Sequence, residues 1–276
     1  MQFSSTLPVS SALPVFTDGE IADLRRAKGL LEQPGFAIRM ANRLGTPIEA
    51  ALSLLPAKVH QSIESGTKRA LNKGFDWIIN TMTDRGRTSS EKSHKFLAGL
   101  SGGVGGAFGA ASLVVELPIS TGIILHSVAD IARSEGHELN SPATRLACLE
   151  VLALGGRSTV RTPAESNYWL VRTALSRAIT EAAAILSERG LAGRSAPAIA
   201  RLLNAIASRF GILVSEQVAA KLVPVIGAAG GAAINWVFTD HFQRMARGHF
   251  IVKRLEKTHG QEAVQSLYLQ LAIPMR

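Results

Sequence analysis

Four times along this chain a serine, threonine or alanine stands directly before a proline: Thr46-Pro47, Ser141-Pro142, Thr162-Pro163 and Ala196-Pro197. Proline is tolerated in the first helical turn, where its missing N–H has no partner to lose, and a preceding hydroxyl can cap the helix. In Thr46-Pro47-Ile48-Glu49 and Thr162-Pro163-Ala164-Glu165 the glutamate three places on completes a capping box. Repeated helix starts without intervening alternating strands predict an all-α protein, a compact helical bundle.

The stops agree with the starts. The run PATRLACLEVLALGG closes on Gly155-Gly156, the helix begun at Thr162 reaches Gly190, and the one begun at Ala196 reaches Lys221. A terminal amphipathic helix is expected over Gln261 to Leu271. Upstream, IADLRRAKGLLEQPGF reads as short helix broken near Gln33-Pro34-Gly35, and a helical stripe through Ile63, Leu71, Phe75, Ile78, Ile79 and Met82 is broken or kinked by Pro56. These patterns divide the chain into a flexible tail over 1–20, an N-terminal helical region over 21–90 and a larger helical domain over 91–276, with the polar, basic run DRGRTSSEKSHK as the boundary.

Two apolar segments are rich in glycine: SGGVGGAFGAASLVVELP, Ser101 to Pro118, and LVPVIGAAGGAAINWVF, Leu222 to Phe238. Neither is a phosphate loop. No Walker sequence is present, and Phe108 stands where a dinucleotide fingerprint needs its third glycine. Nucleotide binding is therefore not expected. Glycines at every fourth position, notably Gly102, Gly103, Gly106, Gly227 and Gly231, place small residues on one helical face and allow two helices to approach closely. Asn235 is a lone amide in the second segment and must find a partner, for which Glu116 and Asp130 are candidates.

Phe96 to Val115 is uncharged and about the ~20 residues that a spanning helix needs, whereas Leu222 to Phe238 is shorter. Glycine adds little to insertion, and Glu116, Asp130 and Asn235 sit at or inside the apolar runs, so peripheral attachment is expected over spanning. The net charge of +9 attracts phosphates on lipids or nucleic acid. Aromatics make up 5% and the arginines are scattered, which disfavours nucleic acid. Arg244, Arg247 and Arg254, just beyond the second segment, are the expected contacts to anionic headgroups. One cysteine, Cys148, excludes an internal disulfide and a multi-thiolate zinc site. The N-terminus lacks a secretory pattern, so a cytoplasmic location is expected.

Chemistry has few carriers. Glu116, His126 and Asp130 share one stretch, and His126 and Asp130 are four apart, so one helical face can present both to a metal. The competing expectation pairs Asp130 with Arg133. His241, His249, Glu256 and His259 form a second group, but Arg244, Arg247 and Arg254 oppose a bound cation, and a solvated or lipid-facing basic helix is expected there. No cofactor is expected.

The blocks SGGVGGAFGAA, ELPISTGIILHSVADIARSEG (Glu116 to Gly136), SPATRLACLEVLALGG and PVIGAAGGAAINWVFTDHFQRMARGHFIVKRLEKTHG (Pro224 to Gly260) resemble the EcsC protein family. The resemblance covers Lys95 to Gly260. It implies a bacterial, mainly helical protein working at the cytoplasmic membrane, with no established reaction or cofactor. The resulting expectation is a non-enzymatic accessory or scaffold on the cytoplasmic face, binding anionic lipid or a membrane protein. The alternatives are a metal-assisted hydrolase using Glu116, His126 and Asp130, or a soluble scaffold that binds another protein.

Overall fold

Thr17 sets the first helix with a reciprocal cap. Its hydroxyl accepts from the Glu20 N–H at 3.3 Å, and the Glu20 carboxylate accepts from the Thr17 N–H at 2.9 Å. A computed structural model describes residues 15–32, 52–53, 55–81, 113–155, 167–221 and 227–272. Among these the helices are α1 (Asp18–Leu31), α2 (Ala57–Thr81), α3 (Leu113–Ser134), α4 (Pro142–Leu154), α5 (Asn167–Arg189), α6 (Pro197–Lys221), α7 (Gly227–His259) and α8 (Gln261–Gln270). A 3-10 turn, Gly190–Ser195, joins α5 to α6, and the described residues contain no strand.

The expected punctuation is visible where it can be followed. Ser141 takes the N-cap position of α4 without a side-chain capping bond, Pro142 follows in the first turn, and Gly155 ends the helix. Pro56 lies just before α2 rather than within it, its carbonyl accepting from Val59 at 2.9 Å. The chain swings out of α7 at Gly260, whose φ of +82° suits a residue without a side chain. The expected starts at Thr46 and Thr162 and the boundary run 84–95 lie outside the described residues.

The bundle is organised around α7. It forms an antiparallel hairpin with α6, shown by contacts that run in opposite sense: Gln217 meets Asn235, and the ring of Phe210 lies 5.6 Å from that of Phe242. On another side α3 runs in the same sense as α7, because Glu116, Ser127 and His137 meet Asn235, Gln243 and Phe250 in turn. Helix α4 is buried nearly all round, as its almost unbroken apolar sequence requires. Helix α2 packs on α3 and α6, with Leu71, Phe75 and Ile78 in the core.

Helix α1 closes the bundle against α7. Leu24, Ala27 and Leu31 are buried there, and the glycine at 248 leaves room for them. The buried ammonium of Lys28 donates to the carbonyls of Tyr268 and Leu271 at 2.8 and 2.7 Å, which satisfies the end of α8. The side chains of α1 and α2 thus join the same apolar cluster as those of α3 to α8.

By length and composition, α6 is the one described helix apolar enough to cross a membrane, with mean hydropathy 1.4; half of that apolar window is buried in the bundle. Residues 96–112 and 222–226, the greater part of one expected membrane segment and the start of the other, lie outside the described residues.

Candidate functional site

Two buried polar constellations interrupt the apolar core. The first lies where the N-terminus of α3, the C-terminus of α6 and the N-terminus of α7 converge. Glu116, 8% exposed, is in the first turn of α3, and Pro118 follows it within the helix. Its Oε1 accepts from the ammonium of Lys221, in the last turn of α6, and from Asn235 Nδ2 at 3.3 Å. Asn235 Oδ1 in turn accepts from Gln217 Nε2 at 2.7 Å. A carboxylate at a helix N-terminus and an ammonium at a helix C-terminus each suit the local dipole, and each supplies the other's countercharge.

Both glycine-rich segments connect at this end of the bundle. Residue 112 runs directly into α3, and residues 222–226 join α6 to α7. Ile119, Ile212 and Trp236, on these three helices, are 52%, 51% and 41% exposed. Each lies within about 15 Å of its helix terminus at 1.5 Å per residue. Large apolar side chains therefore lie near the termini of the three helices that converge here.

The second constellation ties α4, α5 and α7. The Arg172 guanidinium meets the Glu256 carboxylate through two bonds of 2.5 and 3.0 Å and lies 4.0 Å from Glu150. It is also stacked 4.8 Å from the Trp169 ring centre. The Tyr168 hydroxyl meets Nδ1 of His249 at 3.0 Å, and Nε2 of His249 faces Glu150 at 3.4 Å.

Charge states follow from that environment. Burial pushes the Tyr168 hydroxyl up, so it stays protonated and donates to His249. Burial likewise lowers His249, an effect that Glu150 beside it opposes. Burial opposes ionisation of Glu150, but His249, Lys253 and Arg172 together hold its carboxyl below the usual range. Arg172, whose charge burial also opposes, is kept protonated by Glu256 and Glu150. The arrangement ties α4, α5 and α7 together, with His249 Nε2 facing Glu150 short of a hydrogen bond. A cleft of about 600 Å³ lined by Phe16, His259, Glu262 and Ser266 lies apart from it, beside α8.

The expected site residues separate. Glu116 turns to α6 and α7, Asp130 pairs with Arg133 at 3.0 Å, and His126 is exposed with its ring 5.2 Å from Trp77. Among the described residues no group of three or more histidines, cysteines, aspartates or glutamates is placed to hold a metal, and Glu116, His126 and Asp130 do not converge. Gly102, Gly103 and Gly106 lie outside the described residues, while Gly227 and Gly231 begin α7.

The stretch expected to be a solvated or lipid-facing basic helix is instead the middle and end of α7. His241 and His249 are buried, and the apolar stripe of Phe238, Phe242, Met245 and Val252 holds this helix in the core. Arg244 is half-buried. Arg247 lies 3.7 Å from Glu135, and Arg254 meets Asp23 at 2.7 Å and Glu135 at 3.6 Å. Sequence reasoning missed Gln217, Lys221, Tyr168 and Arg172, because their partners are distant in the chain. Glu150 carried a signal, being a lone carboxylate in an apolar helix.

The family model described as the EcsC protein family matches residues 25–255. The match begins within α1, well upstream of the blocks that carry the resemblance by eye. Comparison with curated proteins and with solved structures finds no match.

Proposed function

The chain belongs to the EcsC protein family, and on that premise we propose that it is a non-enzymatic accessory or scaffold attached peripherally to the cytoplasmic face of a bacterial membrane. The observation that carries this reading is the end of the bundle capped by Glu116, Lys221 and Asn235. Two glycine-rich apolar segments join the helices there, and Ile119, Ile212 and Trp236 are exposed on the approach. Exposed apolar side chains leading to apolar chain suit the boundary between headgroups and acyl chains. On this reading the glycine-rich segments, with Gly227 and Gly231 at the start of α7, pack closely and form the contacting end.

Arg244, Arg247 and Arg254 enter this reading differently from the apolar end. With Arg247 and Arg254 beside Asp23 and Glu135, their first role is to hold α1 and α3 against α7. The buried polar groups act as locks of the fold, since Glu150, Tyr168, Arg172, His249 and Glu256 meet one another across three helices.

Fractionation of cells expressing the protein tests the reading. Peripheral attachment places the protein in the membrane pellet and releases it in alkaline carbonate. Recovery in the soluble fraction contradicts attachment, and resistance to carbonate replaces peripheral contact with insertion.

A further inference from the structure

Helix α2 divides sharply between an apolar face in the core and a polar face in solvent. Its outward side carries Lys58, Arg69 and Lys73, all exposed. At 3.6 residues per turn these three fall within an arc of about 60° and along about 22 Å of helix. Among the described residues no carboxylate pairs with them. The acids that α2 does carry are already engaged: Glu64 by Lys68 at 2.7 Å, and Asp76 by Arg194 at 2.7 Å.

The contrast with α7 is informative. Arg247 and Arg254 lie against Asp23 and Glu135, whereas the α2 cations share their face with exposed Ser65 and Asn72 and with half-buried Asp76, which Arg194 neutralises. A straight row of positive charge with small polar neighbours can approach a flat anionic surface without first breaking an internal pair. Its aromatic residues do not suit nucleic acid: Phe75 is buried and Trp77 is half-buried, so α2 offers no open ring for base stacking. Helix α2 also packs directly on α3 and α6, the helices that carry Ile119 and Ile212.

From this we infer that the Lys58, Arg69 and Lys73 face of α2 binds the phosphate headgroups of an anionic bilayer. The inference rests on the membrane reading above and adds the lipid charge that the bundle recognises. The row gives long-range, salt-sensitive attraction, while the apolar end gives the short-range contact.

The test uses the full chain and two kinds of vesicle, one of phosphatidylcholine alone and one of equal parts phosphatidylcholine and phosphatidylglycerol. The variant replaces Lys58, Arg69 and Lys73 with glutamine, a comparable helix former at exposed positions. A control makes the same change at Arg25, Arg189 and Lys257, exposed cations on other helices. At low salt the α2 variant is expected to bind the anionic vesicles about 100-fold more weakly than the unmodified chain, and the control less than tenfold more weakly. Equal loss in both variants, or no loss in the α2 variant, overturns the inference. Equal binding of the unmodified chain to both vesicles keeps the membrane reading and overturns the headgroup site. Binding to neither vesicle overturns both, and α2-dependent binding to duplex DNA in that case assigns the row to nucleic acid.

Discussion

Gln217 and Asn235 meet amide to amide across the α6–α7 hairpin at 2.7 Å, and the free end of the Asn235 amide reaches Glu116 at 3.3 Å. One side chain thereby sets the register of α6 and α7 and ties both to α3. Asn235→Ala removes an acceptor from Gln217 and a donor from Glu116, leaving both buried groups short of a partner. A loss of about 1–3 kcal/mol is expected in urea unfolding, and Asn235→Asp, which keeps the acceptor for Gln217 but sets a second carboxylate against Glu116, should lose at least as much. An unchanged midpoint in Asn235→Ala removes this side chain from the account of the fold.

The lock on α5 predicts a larger effect. Arg172→Met leaves Glu150 and Glu256 in a buried site without their shared cation, which costs about 3–5 kcal/mol. Adding Glu256→Leu removes one of the stranded charges, so the double variant should be more stable than Arg172→Met alone. Comparison of the two by chemical denaturation checks the sign.

Glycines on two helices should respond in opposite directions. A Cβ at residue 248 would lie 2.6 Å from Cγ of Leu31 and 3.1 Å from the carbonyl oxygen of Ala27, and that oxygen cannot yield unless α1 shifts. Gly248→Ala should destabilise by about 1–3 kcal/mol through overpacking and make α1 more accessible to protease. Gly211 in α6 has open space at the same position, so Gly211→Ala should stabilise by about 0.5–1 kcal/mol through helix propensity.

Acid sensitivity follows from His137. Burial, reinforced by Lys257 and Lys253 and opposed by its hydrogen bond to the Phe250 carbonyl, pushes its pKa down from 6.5 to about 4. Below pH 6.5 the unfolded chain therefore takes up a proton that the folded chain refuses until about pH 4. Stability falls as pH drops through that window and levels off below it, by about 2–3 kcal/mol from this group. Burial lowers His249 as well, so it acts in the same direction. Urea midpoints at neutral and acid pH should show the fall, with a shallower slope in His137→Gln.

What could be read from the sequence was local chemistry. Ser141-Pro142 and Gly155 carry their signals within a few residues, since starts and stops are short-range, whereas the Thr17–Glu20 cap of α1 falls in the stretch expected to be a flexible tail. Asn235 was legible as a buried amide because nothing polar surrounds it in sequence. Arg172, Lys221 and Lys28 carry no local signal of burial. Their partners Glu256, Glu116 and Tyr268 stand 84, 105 and 240 residues away, so only the fold brings them together.

Composition misled where periodicity was sound. The change from GAAGGAAINWVF to DHFQRMARGHF looks like the end of one segment and the start of a basic one. The apolar positions nevertheless keep helical spacing through Ile234, Phe238, Phe242 and Met245, and α7 runs unbroken from Gly227 to His259. Its Arg247, Arg254 and Glu256 meet charges on other elements, which a count of arginines does not reveal.

Trp236 reports most directly on the central claim, because it is exposed near the end assigned to the membrane, whereas Trp169 is buried and Trp77 half-buried. Fluorescence is to be recorded on anionic vesicles whose acyl chains carry bromine, for the unmodified chain and for Trp236→Phe. The account predicts quenching of the unmodified chain on these vesicles relative to unbrominated ones, and loss of that lipid-dependent quenching in Trp236→Phe. A chain that binds the vesicles while its Trp236 emission stays indifferent to bromine would contradict attachment through this end of the bundle.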